Sequence, residues 1–468
     1  MPYDTIGGGF EKASRTGHAE AAVRALADKR DFHVPAESLP DLEHLKDRVR
    51  PHGDIPSPPD ADRLTAALAI DGSQVVERVR DGLPSVVYGY AQTAAAYLDL
   101  AVLATQRAER FVDPVALQQA VNTALVSLDL PCAGAYERTG VDIATSWREA
   151  IDRVFRSKKV EVNNLDQRLL DLLLRLHGQP DQAATAIEID CPYEGCGAKR
   201  EPVPANAAPA PTGHPCSQCG RPLYLTDILG IQDEVVEEGT NETALGRLRS
   251  VVELLVLVGL ATLLWLHHRH DLLPTTLFIV DGPLAMYGRP AKLRHDALRY
   301  FQAMAATTPG NGPFVVGLEK TGAMVDYARQ MVRHGVLDPG DLLVCDERVL
   351  SSVVNTDDPK QYGKETYWGR KFIYRSLDGR VLVPTIVPAQ GLPYDRDGGQ
   401  PDPSAYPTLP AILDVFDRTG SSMYRDGIIP VALAHGKAAF PIGVGTDVLK
   451  LVAQTKLGLA QAPSTVGP

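Results

Sequence analysis

The chain has 468 residues, 44% hydrophobic and 22% charged, which is the composition of an ordinary globular protein long enough for two or three folding units. Its formal net charge of −11, from 47 basic and 58 acidic side chains, excludes a protein that coats nucleic acid non-specifically, because such binding needs many cationic phosphate contacts. Local basic surface and metal-binding carboxylates remain compatible with that balance.

The N-terminal stretch lacks a basic segment followed by an apolar one, so no secretory signal is expected. Residues 1–62 read as an arm: a helical pattern over Gly17–Arg30, then a Pro-rich linker over 51–62. The run Leu64–Ser73, LTAALAIDGS, reads as a buried strand that ends on Asp71-Gly72, either in a plain turn or at a site. A second strand is expected near 84–92 and a helix over Pro114–Leu128. Two further helices are expected between 141 and 177, the second spanning Leu165–His177.

An insertion follows over 187–225. Cys191-x4-Cys196 and Cys216-x2-Cys219 form two pairs, each beside a glycine (Gly195, Gly197, Gly220) that lets the chain bend. Four thiolates suit tetrahedral Zn²⁺ and leave no open coordination position, so the pattern reads as a structural zinc ribbon, with a redox or unliganded cluster as the other reading. His214 is the alternative fourth ligand, disfavoured by its neighbour Pro215. Clustered cysteines without a disulfide framework place the protein in a reducing cytoplasm.

The apolar run Val251–Leu266 is shorter than the ~20 residues a bilayer crossing needs, so it reads as a buried helix and no membrane association is expected. Glu253 lies within it. A buried carboxylate costs several kcal/mol unless paired or metal-bound, so Glu253 either faces a site or lies on the exposed edge of its helix. Leu277–Gly288, LFIVDGPLAMYG, repeats the earlier device: a strand buried on both faces delivers Asp281 at its end. Two strands that each end on an Asp could converge on one cation.

After a helix over Lys292–Ala305, the strand Gly312–Lys320 ends on Glu319-Lys320, where a lysine could bind phosphate or could be an ordinary surface residue. A strand over Asp341–Asp346 follows, with Cys345 buried. The segment Lys360–Arg375 is locally basic and aromatic-rich. Lys364, Tyr367, Trp368, Arg370 and Lys371 match the pattern that holds single strands, and the segment equally suits an amphipathic hairpin. His435 follows the apolar run from Gly427, where a structural histidine is the plain reading, and a helix over Asp447–Leu459 precedes a flexible tail, 461–468.

Taken in order, the strand ending Asp-Gly-Ser, the helical Glu, the strand ending Asp-Gly-Pro-Leu, the strand into Lys-Thr and the late Ala-His resemble the NurA nucleases over about 64–130 and 243–455. The resemblance implies an α/β fold with a ribonuclease-H-like mixed sheet flanked by helices, over 63–186 and 226–460, interrupted by the four-cysteine insertion. It implies metal-dependent DNA cleavage with Mn²⁺ or Mg²⁺, a HerA-type hexameric ATPase translocase as partner, and a homodimer. Asp71, Glu253 and Asp281 match the metal-binding carboxylates; Lys320 and His435 match later site residues, and Tyr424 is the nearest counterpart of a further tyrosine. The zinc-ribbon insertion is not general to that family. Two other classes stay open: a catalytically silent scaffold and a zinc-ribbon DNA-binding subunit.

Overall fold

The computed structural model describes residues 42–58, 63–80, 82, 85–107, 122–162, 164–267, 271–308, 312–353, 365–389, 405–420, 427–439 and 444–459. The expected helix at Gly17–Arg30 and the 461–468 tail lie outside them. The chain divides at residue 40 into two units, and the described residues all belong to the second.

That unit is built on one nine-stranded mixed sheet. Its first elements are α1 (Leu42–Arg48), β1 (Val49–Arg50), β2 (Ala66–Arg80), β3 (Val86–Asp99), α2 (Leu100–Arg107) and β4 (Asn122–Ala133). Next come α3 (Ile143–Ser157), the hairpin β5 (Lys159–Val162) and β6 (Leu165–Arg168), and α4 (Leu169–His177). The cysteine region contributes the short strands β7 (Ala186–Ile189), β8 (Glu201–Pro204), β9 (His214–Pro215) and β10 (Pro222–Leu223). The long helix α5 (Glu242–Leu266) leads to β11 (Thr276–Asp281), α6 (Leu293–Thr307), β12 (Phe314–Glu319), α7 (Ala323–Arg333) and β13 (Leu342–Val344). The chain continues through α8 (Glu347–Val353), β14 (Arg370–Arg375), β15 (Val381–Ile386), α9 (Leu409–Thr419), α10 (Ile429–Ala438) and α11 (Val444–Lys456).

The strand order is β1-β13-β14-β15-β12-β11-β2-β3-β4. Only β11 runs parallel to its neighbours, β2 on one side and β12 on the other; all other pairs are antiparallel. Side chains alternate across the sheet, so each strand feeds two cores. Leu68, Ile70, Phe278 and Val315 point to the side covered by α3, α4, α5 and α6. Ala67, Ala69, Leu277, Ile279, Val316 and Leu318 point to the side covered by α2, α9 and α10. Helix α5 is long and apolar enough to span a membrane, but 78% of its apolar window is buried inside this fold.

Four expectations change. The expected helix over Pro114–Leu128 gives way, in its described part, to a strand: Asn122–Ala133 is β4, because Ala124, Val126, Leu128 and Leu130 are buried at every second position, a period of two. Leu165–Arg168 is likewise the second strand of a hairpin turned at Asn164, which adopts φ 68°, and the helix starts only at Leu169. No turn occurs at Asp71-Gly72; β2 runs straight through both residues, paired with Ala94 and Thr93. Finally, residues 42–50 are not part of an arm. Val49 and Arg50 pair with Leu343 and Leu342 at the sheet edge, and Arg48 and His44 both reach Asp346.

Candidate metal centre

The parallel register of β2 and β11 sets Ile70 opposite Val280, so the next residue on each strand, Asp71 and Asp281, stand side by side. Both follow the alternation of Ala67/Ala69 and Leu277/Ile279 and so face α10. That helix packs on β2 and β3 and carries His435, whose Nδ1 donates to Asp71 Oδ2 at 2.7 Å. Ligand atoms of Asp71, Asp281 and His435 all lie within 4.8 Å of one another. Lys320, just past the end of β12, brings Nζ to 2.7 Å from Asp281 Oδ2. Burial, and then the charge of Asp71, push the Asp281 carboxyl above the usual carboxylate range, with Lys320 opposing.

Local sequence explains the strand end. Gly282 has φ +107°, open to glycine but strained for other residues, so the chain leaves β11 immediately after Asp281. The Gly282–Leu284 turn then crosses β12 at Gly317, where an added Cβ would lie 2.5 Å from Leu284 N and 2.6 Å from Gly282 O.

Glu253 approaches from the other side of the sheet. It does not join the trio; its carboxylate rests on Gly72, where a Cβ would lie 2.2 Å from Glu253 Oε1. Arg249, one turn earlier on α5, stands 3.4 Å from that carboxylate and donates to Gly72 O at 2.6 Å. Burial pushes the Glu253 carboxyl up to about 7, with Arg249 pulling down and the charges of Asp71 and Asp281 pushing up. Glu253 therefore senses both aspartates through one layer of backbone. On this side a cleft of about 770 Å³ opens, lined by Glu253, Arg249, Arg247, Asp281 and Tyr287.

The residues fit a hard divalent ion. A Mg²⁺-like ion with bonds of about 2.1 Å needs its ligands no more than about 4.2 Å apart, so sub-ångström side-chain shifts close the trio around one. Two carboxylates with an imidazole suit Mn²⁺ as well as Mg²⁺.

The second group is the cysteine cluster. Cys191 and Cys219 Sγ are 3.8 Å apart, and Cys196 and Cys216 Sγ 3.6 Å, with all four within 4.8 Å. A tetrahedron with Zn–S bonds of about 2.3 Å has edges of about 3.8 Å, so the cluster has the dimensions of a four-thiolate site. Gly195, Gly197 and Gly220 all take positive φ with open space around them, which is the bend the glycines were expected to supply. His214 is taken up in the β9–β10 pair and is not among the grouped ligands. The cluster is tied to the body through Tyr193, whose ring lies between the guanidinium groups of Arg148, at 4.5 Å, and Arg221, at 3.9 Å.

The expected single-strand-binding segment does not survive as such. Trp368 is 3% exposed and stacks on Phe301 at 5.6 Å, Tyr367 is buried, and the buried Lys371 pairs with Glu319 at 2.5 Å. Trp368 and Tyr367 precede β14 and pack against Phe301 and Tyr287, and Lys371 lies on β14, whose four central residues are all buried, so a base cannot reach these groups. Arg370 is half-buried on β14; Lys364 and Tyr424 lie outside the described residues. Arg249 was missed. Its signal was available: it stands four residues before Glu253 on the same helix, the spacing of an ion pair.

No family model and no curated protein matches the chain. Among solved structures it is similar to the crystal structure of the NurA nuclease from Sulfolobus solfataricus, at 10% identity, covering 96% of this chain and 97% of that one, with a TM-score of 0.32. A likeness that slight decides nothing about activity.

Proposed function

We propose that the chain is a divalent-metal-dependent deoxyribonuclease that hydrolyses phosphodiester bonds. The observation that carries this reading is the convergence of Asp71, Asp281 and His435 from two adjacent parallel strands and a covering helix. Glu253 buried behind Gly72 adds a carboxylate to the same end of the sheet.

In this reading Asp71 and Asp281 hold Mn²⁺ or Mg²⁺, with His435 as third ligand or as the proton donor to the leaving oxygen. The bound ion would lower the pKa of a water and offset charge on the phosphate. Lys320, held beside Asp281, is placed to meet charge developing on the phosphate oxygens. Glu253, paired with Arg249, backs the site from the other face of the sheet and adds to its negative potential when ionised. The four cysteines hold a structural Zn²⁺, and the site for catalysis lies elsewhere. The proposal extends to DNA as substrate, a HerA-type hexameric ATPase as partner and a homodimer, all supported by the order of the sequence motifs.

Cleavage of linear duplex and single-stranded DNA with Mn²⁺, with and without a HerA-type ATPase and ATP, tests the reading. Metal-dependent cutting by the wild type, lost in Asp71→Ala and Asp281→Ala, is expected. Equal cutting by those variants, or an inert wild type in every condition, would leave the scaffold reading in its place. Light scattering with and without the ATPase reads the assembly.

A further inference from the structure

His435 is exposed, so neighbouring side chains do little to fix its ring, yet its reach to Asp71 depends on where the last turn of α10 sits. The last carbonyls of a helix have no partner within it and must find donors elsewhere. Here two are caught by side chains from the sheet: Ser73 Oγ donates to Ala438 O, and Gln92 Nε2 donates to Lys437 O at 2.9 Å. The helix closes its own last turn back onto the metal-site residue, through Ala439 N donating to His435 O at 2.8 Å.

Ser73 and Gln92 are not two separate contacts. They are directly opposed in the β2–β3 register, and Ser73 lies two residues beyond Asp71 on the same strand, hence on the same face. His435 in turn lies three residues before Ala438, one turn back on α10. Two rungs therefore join strand to helix: Asp71 to His435, and Ser73 with Gln92 to the two carbonyls one turn later. The second rung fixes the height and tilt of α10 over β2, and with them the distance across the first.

We infer that Ser73 and Gln92 are positioning residues that act through the C-terminal carbonyls of α10 to hold His435 at the metal centre. This rests on the reading of Asp71, Asp281 and His435 as metal ligands. Groups that orient metal ligands without touching the ion are commonly worth ~10–100-fold in metal affinity, which sets the scale expected. Neither side chain is deeply buried, so removing them should leave the fold intact.

The test is Mn²⁺ binding alone, without DNA, read by the loss of the free-ion electron paramagnetic resonance signal. The zinc-loaded protein is compared with Ser73→Ala, Gln92→Ala, their double variant and the conservative Ser73→Thr. The double variant should bind Mn²⁺ about tenfold or more weakly with an unchanged thermal midpoint, its α10 amides should exchange hydrogen faster, and Ser73→Thr should bind as the wild type does. Wild-type affinity in the double variant would overturn the positioning role while leaving the metal site standing. A wild type that binds no Mn²⁺ would overturn the metal site and the positioning role together.

Discussion

Glu253 Oε1 stands 2.2 Å from where a Cβ on Gly72 would be, so the buried carboxylate of α5 occupies the space that a side chain on β2 would fill. The glycine is needed for its lack of a side chain, since β2 is regular strand at this point. Gly72→Ala therefore drives the carboxylate, and Arg249 whose Cδ would be 3.2 Å away, off the strand. Because the displaced atoms are the mobile ends of long side chains, folding should survive. We expect a stability loss within about 1–3 kcal/mol, the usual cost of overpacking, and a fall in Mn²⁺-dependent cleavage of roughly tenfold or more. Thermal denaturation and cleavage rates on the same preparation separate the two effects.

His177 gives a pH dependence away from both metal-binding groups. It closes α4, is half-buried, and sits with Nδ1 3.2 Å from Asp296. Burial holds its pKa below the ordinary 6.5, with Asp296 opposing. A base with a depressed folded-state pKa takes up its proton more readily when unfolded. Its contribution is therefore present above pH 6.5 and is lost as pH falls from there towards the folded-state value, by at most about 1.4 kcal/mol per pH unit. Thermal midpoints measured from pH 7.5 to pH 5 should fall less steeply in His177→Gln than in the wild type.

How much of this was legible in the sequence follows from the range of each signal. The two strands that each carry an Asp after an apolar run could be read locally, because an apolar run followed by Asp-Gly is visible in ten residues. That Asp71-Gly72 is not a turn could not, since β2 continues there by pairing with Ala94 and Thr93 of β3, and the space over Gly72 is taken by α5, more than 170 residues away, as the bond from Arg249 to Gly72 O shows. The cysteine group was legible through its spacing and its glycines. The aromatic-basic segment misled because composition says nothing about facing: Trp368 and Lys371 look like a nucleic-acid surface until Phe301 and Glu319 are placed against them. Strand β4 is legible only through the alternation of Ala124, Val126, Leu128 and Leu130, which overlaps the end of the expected helix and runs past it.

The cysteine cluster should carry one zinc ion per chain, measurable by elemental analysis of protein purified without chelator. Its thiol carbons pack with the main core, since Cys216 is buried with Leu223 and Val203 in the cluster that also holds α5. Cys216→Ser removes a ligand inside that packing, and structural zinc sites contribute on the order of 10 kcal/mol to folding in small domains. A lowered zinc content and a marked drop in the thermal midpoint are expected. Full stability after complete zinc removal would show that the thiols need no ion.

Arg148 and Asp227 make the buried joint between the cysteine region and α3. Their side chains are 3% and 1% exposed, and two bonds of 2.7 Å join guanidinium to carboxylate, with Arg148 also donating to Pro222 O at 2.8 Å. Asp227 accepts a further bond from Tyr224 N at 2.8 Å, so the carboxylate is satisfied on both sides. Asp227→Ala leaves an arginine charge with no carboxylate in the interior, which costs about 3–5 kcal/mol when a buried pair is broken from one side. Asp227→Asn keeps the Tyr224 bond and the shape but not the charge, and should cost less. Replacing both partners together, as Arg148→Met with Asp227→Leu, removes the stranded charge and should recover part of the loss. Chemical denaturation of the three variants measures the order; equal losses in the single and double variants would mean that packing, and not the stranded charge, dominates at this joint.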